Sequence, residues 1–180
     1  VSYLKKLRIL LAGFLLKLKL KKRKRTPVTC NLSAAKSIGL LFNSDNESDR
    51  KTAKALESFF KQSEVRIEVL GYSKFKHNTG NLIGDNQHHY IHPQDFNFFY
   101  HPKNNAVDSF IQRNFDILIN LYQDAEFPVE YITKMSEAKF KVGCAHLDPS
   151  MHDLMIDVNN NKGDSAYLCK HLKYYLSIIS

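Results

Sequence analysis

Acidic residues are missing from the first twenty-five positions of this chain. Ten lysines and arginines stand there instead: Lys5, Lys6, Arg8, Lys17, Lys19, Lys21, Lys22, Arg23, Lys24 and Arg25. The other 155 residues hold 16 basic and 18 acidic side chains, so the net charge of +8 belongs to the amino-terminal segment and the body is slightly acidic. A one-sign block is a docking device for a polyanion, either RNA or an anionic membrane surface.

Glycine is scarce as well, seven in 180 residues. The turn after the first apolar run, Asn43-Ser-Asp-Asn-Glu-Ser-Asp49, has none. A phosphate cradle needs glycines so that backbone N–H groups can close on the anion. This turn offers carboxylates in their place, which argues against nucleotide binding there. Cysteine occurs three times, at Cys30, Cys144 and Cys169, with no CxxC pair. An odd count without paired spacing excludes a disulfide framework and fits reduced thiols in a cytosol. Long apolar runs are missing too. Ile9 to Leu16 is too short to span a bilayer, which takes about 20 residues. KLKLKKRKR follows it where a signal peptide would carry small residues. Cys30 follows Pro27-Val28-Thr29, which is not a lipobox. A cytoplasmic protein is expected, with peripheral attachment to the inner membrane as the other setting.

What is present begins with a helix. At 100° per residue, Tyr3, Leu4, Leu7, Leu10, Leu11, Phe14, Leu15 and Leu18 fall within about 140° of arc. Lys5, Lys6, Arg8, Lys17 and Lys19 occupy the rest, interrupted by Ile9, Leu16 and Leu20. The spacing predicts a basic amphipathic helix from Ser2 to Lys22, with Lys21 to Arg25 as a cationic run and a break at Thr26-Pro27. Burying eight such side chains at roughly 1.5–3 kcal/mol each is a large driving force. A bilayer interface, a groove on another protein with RNA phosphates nearby, and the protein's own body are the three surfaces that supply such burial.

The body, residues 36–180 after a linker at 27–35, alternates strand and helix patterns. Strands are predicted at Ser37–Asn43, Val65–Ser73, Gln87–Ile91, Phe115–Leu121, Phe140–Ala145 and Leu154–Val158. Helices are predicted from the Ser44…Glu47 capping box to Gln62, at Asn105–Asn114, from Pro128, and after Asp164. Turn chemistry marks the segment from Asn78 to Asn86. The alternation points to one three-layer, mostly parallel α/β sheet of Rossmann-like or flavodoxin-like type.

In such a sheet ligands bind at the strand carboxyl ends. Asp45, Asp124 and Asp148 lie there, but a receiver-type Mg²⁺ crest would need adjacent acids after the first strand and a lysine after the fifth. His77, His88, His89, His92 and His101 lack spacing that converges on a metal. Cys144-Ala-His146 sits in an apolar run, and a nucleophile needs exposure and a third orienting group. The aromatic stretch Phe96-Asn-Phe-Phe-Tyr100 either stacks bases or tucks its rings under the sheet edge. No catalytic residue, metal or cofactor is expected.

The runs DFNFFYHPK (Asp95–Lys103), FDILINL (Phe115–Leu121), SEAKFKVG (Ser136–Gly143) and DLMIDV (Asp153–Val158) resemble an uncharacterised bacterial α/β family of about this length, over Lys36 to Ser180. That resemblance implies the fold and a bacterial cytoplasmic setting, and no activity.

The expected function is a non-enzymatic module docked by its basic helix onto a large anionic assembly, with RNA, the ribosome especially, narrowly ahead. Lys17, Lys19, Lys21, Lys22, Arg23, Lys24 and Arg25 would meet the phosphates. Leu4, Leu7, Leu11, Phe14 and Leu18 would form the apolar docking face. Anchorage on a cytoplasmic membrane by the same helix comes second, and a small enzyme acting at the strand ends third.

Overall fold

A computed structural model describes residues 3–75 and 84–179. The elements run α1 (Tyr3–Lys21), β1 (Ser37–Asn43), α2 (Glu47–Gln62), β2 (Arg66–Tyr72), β3 (His88–Ile91), α3 (Asn105–Gln112), β4 (Ile117–Asn120), α4 (Phe127–Met135), β5 (Phe140–Cys144), β6 (Leu154–Ile156) and α5 (Ser165–Ile178). All six strands are parallel, in the order β3-β2-β1-β4-β5-β6. This is the doubly wound arrangement, whose strand order reverses between β1 and β4.

Side-chain alternation along the strands builds two cores. Ile38, Leu40 and Phe42 of β1 join Ile117 and Ile119 of β4 under α2 and α5. Leu41, Leu70 and Leu118 point the other way, under α1, α3 and α4. Both faces are covered, and β1, β4 and β5 therefore read as nearly unbroken apolar runs. Gly39 lets Phe115 lie against β1, since a Cβ there would meet the ring at 2.7 Å.

Local signals placed most helix ends. Asp164 caps α5 by accepting from the Tyr167 N–H at 2.9 Å, and Pro128 stands in the first turn of α4. The start of α2 differs from expectation. Asn46, rather than Ser44, caps it, through the Ser48 N–H at 2.8 Å. Ser44 is buried, and its N–H bonds the Tyr72 carbonyl, so the chain is still leaving the sheet there. The turn read at 78–81 and His77 lie outside the described residues.

Residues 27–35, read as a linker, touch the body in part, while Pro27, Val28, Thr29, Ser33 and Ala34 stay exposed. The Val28 N–H bonds the Lys139 carbonyl, and the Leu32 N–H bonds the Leu176 carbonyl. Cys30 and Leu32 rest on the α2/α5 core, and Ala35 is buried in it.

One buried titratable group sits in the middle of the fold. The Asn120 carboxamide oxygen accepts from the Tyr122 N–H, so its nitrogen faces His152 Nε2 at 3.1 Å as donor. His152 lies against Gly143, where any Cβ would collide with the imidazole. Burial, with the nearby Lys141 ammonium, pushes His152 down to about 4. The unfolded chain therefore takes up this proton first as pH falls below about 6.5, and stability is lost between there and about 4. The full loss attributable to His152 is about 3 kcal/mol. Urea midpoints should fall from pH 7 to pH 5 in the native chain and change less in His152→Gln. Equal slopes would show that the imidazole does not carry the effect.

Candidate functional site

Helix α1 has two apolar faces, and only one meets the body. Ala12 and Leu16 are buried, with Ile9 and Leu20 partly buried beside them, over the core that holds Tyr100, Phe127 and Tyr131. These are the residues, with Ala12, that interrupt the polar side of the amphipathic pattern. The broad leucine stripe lies opposite. Leu4 is 74% exposed and Phe14 60%, and Leu7, Leu10, Leu11, Leu15 and Leu18 are exposed as well. On the helical wheel the stripe is centred about 180° from Leu16.

Polar contacts bolt the body-facing side in place. Arg8 donates to the carbonyls of Phe98 (2.6 Å) and Asn97 (3.0 Å), and its guanidinium lies 3.9 Å from the centre of the Tyr100 ring. Lys19 Nζ donates to the Tyr131 hydroxyl at 3.1 Å. Arg23 bonds the Met135 carbonyl and pairs with Glu137. Arg25 donates to the carbonyls of Ala138 and Lys139 at 2.8 Å each and takes Asp153 with both terminal nitrogens. Asp153 also accepts the Lys141 N–H at 2.8 Å. Lys141 is itself buried and donates to the last turn of α4 at the Lys134 carbonyl, 3.0 Å away. Burial, reinforced by Arg25, pushes Lys141 down to about 7.

The seven cations read from the sequence as one nucleic-acid surface are thus divided. Arg23 and Arg25 serve the fold, and Lys19 lies along Tyr131. Lys17, Lys21, Lys22 and Lys24 remain exposed. The five apolar residues named with them, Leu4, Leu7, Leu11, Phe14 and Leu18, are all on the exposed stripe.

The aromatic loop beside α1 divides in the same way. Asn97 Oδ1 accepts from the N–H groups of Phe99 (2.8 Å) and His101 (3.0 Å), folding a tight turn. Tyr100 adopts a left-handed φ of 57°, a strain that its burial against Phe127 and Arg8 offsets. Phe96 and Tyr100 point inward, and Phe98 and Phe99 stay exposed alongside α1. Sequence reading named this stretch but not its placement beside the helix. The pair Ala12-Gly13, small residues inside a leucine-rich helix, was the signal for close helix packing.

The strand carboxyl ends are stitched by their own side chains. Asp45 accepts from the Ser73 hydroxyl (2.5 Å) and the Lys74 N–H (2.8 Å). Lys74 Nζ pairs with Asp124 at 2.7 Å. Asp148, held low at about 2 by Ser150 and Lys134, pairs with Lys134 across 3.1 Å. The three carboxylates each have their own partners. His88 bridges Glu57 (3.0 Å) and Asp85 (2.9 Å). Burial opposes its charged form, but those two carboxylates outweigh it and raise its pKa. Among the described residues no cluster of three or more His, Cys, Asp or Glu is arranged to hold a metal. Cys144 lies 3.9 Å from His146 Nε2, while His146 already donates to the Gln123 carbonyl at 2.8 Å. Burial pushes the Cys144 thiol up to about 11, so it is protonated at neutral pH.

Residues 11–179 match the model of a family of unknown function, DUF6913. The chain belongs to this family. The match begins at Leu11, within α1, whereas the resemblance read from the sequence began at Lys36. No curated protein and no solved structure matches the chain. Among the described residues no helix is long and apolar enough to cross a membrane.

Replacing Arg25 should expose how far the segment after α1 is part of the fold. Arg25→Ala strips a partly buried Asp153 of its charged partner, and a loss of about 2 kcal/mol is expected. Lys24→Ala, next to it and exposed, should change stability by less than about 0.5 kcal/mol. Urea denaturation of the two variants makes the comparison.

Proposed function

We propose that this member of DUF6913 is a peripheral binding module that docks through α1 on an anionic membrane surface. One observation carries the reading: the apolar stripe faces away from the body while the opposite side of the same helix is bolted down. A contiguous exposed patch of eight large apolar side chains marks an interaction surface. Exposed lysines border it, with Lys6 and Lys17 on one edge and Lys22 on the other. Leucines and phenylalanine at the level of the acyl chains, with lysines among anionic head groups, are the interactions of an interfacial helix.

Other occupants fit less well. A second copy of α1 would set lysines against lysines, because residues 1–25 contain no acid to pair with them. RNA phosphates satisfy Lys17, Lys21, Lys22 and Lys24 but leave the leucine stripe in water. Two members of the cationic run, Arg23 and Arg25, already hold carboxylates of the body.

Vesicle flotation tests the reading against RNA. The chain should float with vesicles containing about a third anionic lipid and fail to float with purely zwitterionic ones. Leu7→Asp with Phe14→Asp should weaken flotation at least tenfold. Lys21, Lys22 and Lys24 replaced together by glutamine should weaken it as well, by up to about 3 kcal/mol at about 1 kcal/mol for each lysine near an anionic surface. RNA binding that falls with a log–log salt slope of about −0.7 to −0.9 per phosphate, is lost in the lysine variant and is kept in the double aspartate variant would replace the membrane reading with an RNA one.

A further inference from the structure

A groove runs between α1 and the aromatic loop, with a volume of about 250 Å³. Leu15 and Leu18 of α1 form one wall and Phe99 the other, and Tyr131 belongs to the lining. Its lining is mostly apolar. The polar groups along it are basic or neutral: Lys19, Lys22, His101 and Asn97. Leu15, Leu18, Phe99 and Lys22 are exposed, so the groove opens along the edge of the outward stripe. His101 donates through Nδ1 to the Pro102 carbonyl at 2.9 Å, which leaves Nε2 for a further partner.

We infer that this groove takes one acyl chain of an anionic phospholipid, with the phosphate held by Lys22 at its mouth. Charge complementarity selects the occupant. An apolar slot bordered by cations and by no carboxylate matches an apolar tail ending in an anion, and a neutral apolar ligand would leave the basic groups unused. The Lys22 ammonium supplies charge-assisted hydrogen bonds to phosphate oxygens. The inference rests on the docking reading above, because the stripe is what brings the groove mouth to the lipid. It adds to that reading a defined lipid site that is saturable and selective for the head group.

The chain has no tryptophan, so Phe99→Trp creates a single tryptophan, excited apart from the tyrosines, at the groove wall. Dihexanoyl phosphatidic acid, kept below its micelle concentration, should give a saturable blue shift in this full-length variant. The zwitterionic dihexanoyl phosphatidylcholine should bind at least tenfold more weakly. Adding Lys22→Glu should weaken phosphatidic acid at least tenfold. Adding Leu7→Asp and Phe14→Asp, which lie outside the groove, should leave the titration within twofold while abolishing vesicle flotation. Flotation with no saturable shift, or equal affinity for both lipids, overturns the groove and leaves the docking reading standing. A saturable, head-group-selective shift without flotation overturns the docking reading and leaves the groove.

Discussion

A parallel sheet must be covered on both faces, and on one face of this protein the two helices inside the body are too short to do it. On the other face α2 and α5, of 16 and 14 residues, lie over β1, β4 and β5. α3 and α4 have only eight and nine residues. The core they share also holds Tyr72, Tyr100, Phe127 and Tyr131. Ala12 and Leu16 of α1 complete that cover. The helix is therefore held by a narrow seam of small and medium side chains. Everything else about its exposure follows from which side that seam occupies.

Fixing the seam fixes the stripe. A helix has about 360° of surface and the seam uses a narrow sector of it, so leucines placed opposite can only face outward. Arg8 at one end and Arg23 with Arg25 beyond the other hold the rotation. Each reaches main-chain carbonyls of the body, and the two latter also reach Glu137 or Asp153. The charges that look uniform in composition thus do two jobs. Some hold the helix to the domain, and the exposed lysines border a surface turned to the outside.

Side-chain contacts also bind together the strand ends, the usual ligand crevice of this topology. Lys74 bridges toward Asp124, Asp45 gathers Ser73 and Lys74, and Gln123 accepts the Gly163 N–H at 2.9 Å. These contacts join loops across the reversal point between β1 and β4, and in the glycine-free turn at Asn43–Asp49 the side chains of Asn43, Asp45 and Asn46 are engaged in the turn, in those bonds and in capping.

The alternation of apolar runs and helical periods was enough to determine an α/β sheet, the six strands to within a few residues, the cap at Asp164, the first-turn Pro128 of α4, and a basic helix at the start of the chain. Those properties are local: they depend on the side-chain period of two or 3.6 residues and on which residues satisfy free N–H groups. The cap at Asn46, the contacts of residues 27–35 with the body and the sorting of Phe96 and Tyr100 from Phe98 and Phe99 were decided only in three dimensions. So was the choice between the two apolar faces of α1. Composition favours the wider leucine stripe as the buried one, but the seam that meets Tyr100, Phe127 and Tyr131 is made by Ile9, Ala12, Leu16 and Leu20 on the opposite side. Whether a charge is free or paired depends likewise on residues more than a hundred positions away, and no local pattern records that Arg25 will find Asp153.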